Sequence, residues 1–170
     1  MGLDISYYKL VKEIPRKEDD DLHYENDEII IEKQPFKLQL GTLKEESVYE
    51  MDYIDSFASG SYGGYNGWRN RLYSLVYSGN IDDYWEKTSN IIDEKYTKKL
   101  ETNIETMPFL ELINFSDCEG IIGPEICEKL SKDFQEYDEL MKDGMDSYDY
   151  ELYCDFKNAF NEEKCVMLFH

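Results

Sequence analysis

The stretch GSYGGYNGWRNRLY, residues 60–73, is where the chain changes character. Upstream lie LDISYYKLV (3–11), DEIIIEK (27–33), FKLQLGTL (36–43) and SVYEMDYI (47–54). They are rich in β-branched and aromatic residues, partly alternating, and are parted by Pro15, Pro35 and acidic turns, a pattern that predicts strands. Downstream, Trp68, Leu72, Leu75 and Val76 recur at helical spacing up to Gly79-Asn80, which predicts a helix beginning at Trp68. The glycine-rich stretch is therefore the joint between a β-rich first third and a helical remainder.

The remainder is read the same way. Residues 81–106 are expected to form a second helix, and PFLELINF (108–115) a short buried strand or extended segment. SDCEGIIGPE (116–125) breaks the chain, and Pro124 suits the first turn of a new helix. Ile126, Leu130, Phe134, Tyr137 and Met141 form its apolar stripe, ending near Gly144. A last helix starts at about Ser147 with Tyr148, Leu152, Phe156, Ala159 and Phe160 inward, and CVMLFH (165–170) returns as a strand. The expectation is one α+β domain over residues 1–170: a small mixed or antiparallel sheet packed with three to four helices.

Charge narrows the function classes. With 38 acidic and 18 basic residues the formal charge is −20, a field that repels DNA, RNA and anionic lipid. No direct nucleic-acid partner and no membrane partner is expected. The exception is mimicry, in which carboxylates such as those crowding residues 131–155 stand where phosphates would and block a host DNA-binding enzyme. No stretch approaches the roughly 18 apolar residues of a membrane span. Cys118, Cys127, Cys154 and Cys165 show no C-x-x-C pairing and read as reduced thiols, in keeping with a cytoplasmic protein. MGLDIS matches a myristoylation pattern, but Leu3-Asp4-Ile5 reads as the start of a strand.

Two glycine loops precede two helix starts: Gly60, Gly63 and Gly64 before Trp68, and Gly120 and Gly123 before Pro124. Helix N-termini carry unpaired N–H groups and partial positive charge, and glycines let an anion reach the backbone. Around these sockets, Arg69 offers a fork for phosphate or carboxylate, and Tyr62, Tyr65 and Trp68 offer stacking faces. Asn66 and Asn114 offer amides, and Ser61 and Ser116 hydroxyls. The candidate ligand-binding set is thus Ser61, Tyr62, Gly63, Gly64, Tyr65, Asn66, Trp68, Arg69, Asn114, Ser116, Asp117, Glu119, Gly120 and His170. A plainer reading makes the first loop a tight turn, Asn66 an N-cap and Trp68 a core residue. Asp117 and Glu119, with Asp4 and His170, also form a conceivable acid–base or metal cluster. With only two histidines and no cysteines at ligand spacing, no metal, no cofactor and no defined catalytic residue is expected.

MGLDIS, GSYGGYNGWRN, PFLELINFSDCEGIIGPE and the closing Phe169-His170 together resemble a family of small bacteriophage and prophage proteins. Those proteins share an M-G-L-D-I start, G-S-Y-S-G-Y-N-x-W-R, E-L-I-N-F-S-D-C-E-G-x-I-G-P and a closing D-F-H. The motifs cover about a quarter of the chain. Gly63 replaces the usual serine, and Leu168 stands where an aspartate often precedes Phe-His. The resemblance implies a phage accessory protein in the host bacterial cytoplasm. By analogy with anti-defence factors it implies a sponge that sequesters a nucleotide-type immune signal. A homo-oligomer is expected because the many aromatics exceed what one small core holds. A phosphodiester or glycosidic hydrolase using Asp117 or Glu119 with His170, and an acidic inhibitor of a host protein, are the alternatives.

Overall fold

The computed structural model describes residues 2–16, 27–33, 37–79, 108–114 and 120–170. The described elements are β1 (Gly2–Ile14), β2 (Glu28–Ile30), a 3-10 turn (Lys37–Leu40), β3 (Val48–Ser61), α1 (Tyr62–Tyr77), α2 (Leu110–Asn114), β4 (Gly120–Ile122), α3 (Pro124–Glu136), α4 (Asp138–Gly144), α5 (Ser147–Phe160) and β5 (Cys165–Phe169). The architecture is mixed α+β, as expected.

The strands form one antiparallel, curled sheet in the order β2-β3-β1-β5-β4. Its spine is the β1–β3 pair, with register shifts between Gly2 and Asp4, Tyr7 and Tyr8, and Leu10 and Lys12. Such irregularities raise local twist, consistent with a curled rather than flat sheet.

The larger core lies on the helical face. Leu3, Ile5, Cys165, Met167 and Phe169 point from the sheet onto α1, α3 and α5. Alternation sends the intervening residues to the other face. There Tyr49, Met51 and Val166 pack with Ile31, Leu40, Leu43 and Ile121 in a smaller cluster.

Helix α1 buries Tyr65, Trp68, Arg69 and Leu72, the i, i+3, i+4, i+7 stripe of an amphipathic helix. It ends at Ser78, whose φ of 53° is left-handed. The α3 stripe appears as expected for Ile126, Leu130, Phe134 and Met141, while the chain breaks at Tyr137 into two helices. In α5, Leu152, Phe156, Ala159 and Phe160 are buried as expected, but Tyr148 is 63% exposed. It sits in the first turn, just after the Asp146 cap, where the stripe has not yet reached the core.

Three expectations are corrected. Within FKLQLGTL, residues Lys37–Leu40 make a 3-10 turn rather than a strand. The chain reverses there: Leu43 N donates to Leu40 O (3.0 Å), and Gly41 has a φ of 57°. PFLELINF contains the short helix α2, because Phe109 at φ 57° turns the chain and Asp133 accepts from its backbone N–H (2.9 Å). Residues 109–113 are all buried, Glu111 included, and a run buried at every position carries no period to separate strand from helix. Finally, β3 runs through to Ser61, and α1 begins at Tyr62 rather than Trp68. The expected helix over 81–106 lies outside the described residues.

Candidate functional site

Antiparallel pairing brings the distant motifs to one end of the sheet. Gly2 pairs with Ser61, Asp4 pairs with Ala58, and Gly120 pairs with Phe169. Asp4 and His170 exchange both backbone hydrogen bonds, each 2.9 Å. The start of β1, the end of β3, the start of β4 and the end of β5 thus form a single rim. At a strand spacing of about 4.8 Å, the ends of β3, β1 and β5 span about 10 Å, the width of a nucleotide.

The first glycine loop is mostly helix. Ser61, not Asn66, is the N-cap: its Oγ accepts from Gly64 N at 3.1 Å. Gly63, Gly64 and Gly67 lie inside α1, all exposed, and a Cβ added at Gly63 or Gly67 meets nothing within 4 Å. Gly60 has a φ of 83° and carries the sharp entry into the helix. The first turn of α1 contains no acidic residue and opens on this rim.

The second loop is occupied by the protein itself. A Cβ on Gly123 would sit 2.0 Å from the carbonyl oxygen of Leu40, and Gly123 N donates to Gln39 O at 2.7 Å. The glycine there permits backbone-to-backbone packing between the 3-10 turn and α3. It is not an open anion socket. Gly120 is buried in β4.

Two rings expected as stacking platforms are core. Trp68 is 1% exposed, stacked with both Tyr65 (5.9 Å) and Phe156 (4.9 Å), and its indole N–H donates to Asp149 O at 3.0 Å. Tyr65 is fully buried and also meets Phe169 at 6.0 Å. Both pack among Phe156, Phe169 and each other: the plainer reading holds for Trp68, and Tyr65 proves to be core as well. Tyr62 is half-buried against the same core.

Arg69 is a clasp rather than a solvent-facing clamp. It is 6% exposed, Nη1 donates to Ile113 O at 3.0 Å, Nη2 donates to Asn66 Oδ1, and its guanidinium lies 5.3 Å from the Tyr65 ring centroid. The two motifs therefore do meet: Arg69 ties α1 to the end of α2, next to Asn114. The side chain of Asn114, and Ser116, Asp117 and Glu119, lie outside the described residues.

Spacing did not single out Ser6. It is 6% exposed, two residues beyond Asp4 and on the same sheet face, and its Oγ lies 2.8 Å from Nε2 of His170. The period-2 relation to Asp4 was visible in the sequence, but a contact across 164 residues was not.

A concavity of about 500 Å³ lies toward the opposite end of β1 and β5, between Leu10, Thr42, Pro124, Ser131 and Phe160. Glu125, Glu128, Glu162 and Glu163 rim it, which makes it a poor receptor for an anion. Glu125 is held to Thr42, Glu128 to Lys132 and Glu163 to Lys9. Among the described residues no group of three or more His, Cys, Asp or Glu side chains is placed to hold a metal ion, and no helix is long and apolar enough to cross a membrane.

No protein-family model matches the chain, and no curated protein or solved structure matches it either.

Proposed function

We propose that this chain binds a small anionic, nucleotide-like ligand at the motif-bearing end of its sheet. The observation that carries the reading is convergence: four stretches far apart in sequence supply one rim. That rim combines an acid-free helix first turn, the exposed Ser61 hydroxyl, the exposed His170 imidazole and the exposed Asp4 carboxylate. Backbone N–H groups and imidazole suit phosphate oxygens, and a carboxylate suits sugar hydroxyls. Tyr65 and Trp68 anchor α1 to the helical face of the sheet, and Arg69 ties α1 to the end of α2.

The resemblance to phage proteins gives this binder a role as a counter-defence sponge in the host bacterial cytoplasm, holding a nucleotide immune signal without altering it. A hydrolase reading needs Asp117 or Glu119, which lie outside the described residues, and no geometry favours it.

The test is thermal unfolding against a panel of mono-, di- and cyclic nucleotides and ADP-ribose derivatives. A ligand at a hundred times its dissociation constant adds about 2.7 kcal/mol, or about 5–11 °C in midpoint for a domain of this size. Recovery of the ligand intact supports a sponge; ligand consumed on incubation refutes it. No shift with any nucleotide refutes the binding reading.

A further inference from the structure

His170 is held more firmly than an exposed residue needs to be. Its backbone exchanges two hydrogen bonds with Asp4, and its ring nitrogen Nε2 meets the buried Ser6 hydroxyl at 2.8 Å. Two residues apart on β1, Asp4 and Ser6 face the same way, and their β5-side partners His170 and Leu168 share that face. Backbone and ring are both fixed, while the residue remains exposed. The other ring nitrogen, Nδ1, has no partner among the described residues.

We propose that Ser6 is a positioning residue that sets the tautomer of His170 and turns it into an outward donor for an anionic oxygen of the ligand. This inference rests on the binding reading above. A neutral imidazole has one donor and one acceptor nitrogen, and the bond made by one fixes the role of the other. Ser6 is buried, and its hydroxyl also hydrogen-bonds Tyr8. Burial keeps the Tyr8 phenol protonated, so Tyr8 donates to Ser6 Oγ and the one Ser6 proton is left for Nε2. The hydroxyl donates to Nε2, so the ring proton resides on Nδ1, directed away from Ser6. A phosphate or carboxylate oxygen accepts from that N–H. The donor is oriented before the ligand arrives, so less freedom is lost on binding.

Asp4 lies beside this donor and limits which anions fit. Its exposed carboxylate repels a bare anion and accepts from a hydroxyl. The pair therefore selects a ligand carrying an anionic oxygen and a hydroxyl a few ångströms apart, the pattern of a sugar phosphate.

The experiment reads the tautomer directly. The chain has two histidines, so His23→Gln assigns the imidazole nitrogen resonances of His170 in long-range nitrogen–proton correlation spectra. The wild type is expected to show the Nδ1–H tautomer, and ribose 5-phosphate is expected to move the Nδ1 resonance. Ser6→Ala is expected to mix the tautomers and weaken ribose 5-phosphate binding about three- to tenfold. Ser6→Thr, which restores the hydroxyl, is expected to recover both.

An Nε2–H tautomer in the wild type, or an unchanged tautomer ratio in Ser6→Ala, overturns the positioning role whatever binds. If the tautomer is as expected but no His170 resonance responds to ribose 5-phosphate, the binding role assigned to His170 is overturned instead. The two failures are distinguished because the first is read without ligand.

Discussion

Alanine placed at two glycines of this chain should have opposite effects. At Gly123 the new methyl would sit 2.0 Å from the Leu40 carbonyl oxygen and 2.7 Å from its carbon. Both neighbours are backbone, so neither can rotate away. The φ of Gly123 is −82°, so the cost is steric rather than torsional. Relieving the overlap pushes α3 off the 3-10 turn and stretches the 2.7 Å bond from Gly123 N to Gln39 O. Overpacking of this kind costs about 1–3 kcal/mol. Alanine at an N-cap adds a few tenths of a kcal/mol or more over glycine. At Gly67, exposed in the interior of α1 with open space around its Cβ position, alanine should gain about 0.5–1 kcal/mol from helix propensity. Urea unfolding by circular dichroism measures both: Gly123→Ala lowers the midpoint and Gly67→Ala raises it, at unchanged slope. Gly123→Ala within 0.5 kcal/mol of wild type (about the scatter of surface substitutions) would refute the packing argument and reopen the second loop as an anion socket.

Three further outcomes follow from buried groups. Arg69→Ala should cost about 2–3 kcal/mol in urea unfolding by stripping the Ile113 carbonyl of its donor, and Arg69→Lys should recover little, since one ammonium cannot span Ile113 O and Asn66 Oδ1. Glu111 is 2% exposed, and burial lifts its carboxyl pKa above the usual value despite the opposing Lys129 contact at 2.7 Å. The native state therefore holds that proton more tightly than the unfolded chain, and the stability it contributes falls as pH rises from about 4.5 through the raised value. Unfolding free energies against pH should show wild type losing stability relative to Glu111→Gln across that window; parallel curves would refute the assignment. The thiols of Cys127 and Cys165 are 1% exposed, and burial pushes that of Cys127 up, with Cys165 beside it reinforcing the shift. A thiol reagent followed by peptide mass mapping should label both only on unfolding, and labelling Cys127 in the native state would contradict this packing.

Much of the fold was legible because burial imposes a period. Ile126, Leu130 and Phe134 repeat at helical spacing and do line α3. Tertiary context overrode local pattern elsewhere. Residues 60–68 looked like a loop because four glycines in eight residues have poor helix propensity, yet Ser61 caps the turn and Tyr65, Trp68 and Arg69 lock it into the core. Of the candidate site, the motifs were visible, but the direction of each side chain was not. Trp68 as platform and Trp68 as core are the same letter in the same helical phase; only Phe156, eighty-eight positions later in the sequence, decides between them by occupying the ring face.

Sequence by itself determined the class of the molecule: an acidic α+β chain with strands first, helices after and one returning strand, though β4, between α2 and α3, was read only as a break. Those features depend on composition and short-range periodicity, which a chain expresses within a few residues of itself. Tertiary structure alone decided that residues 2, 61, 120 and 170 share one end of a sheet. It also decided that Gly123 admits a neighbouring backbone, that Arg69 faces inward and that Ser6 meets His170. Strand order and register set these contacts, and both arise from pairing across long separations, where no local period carries the information.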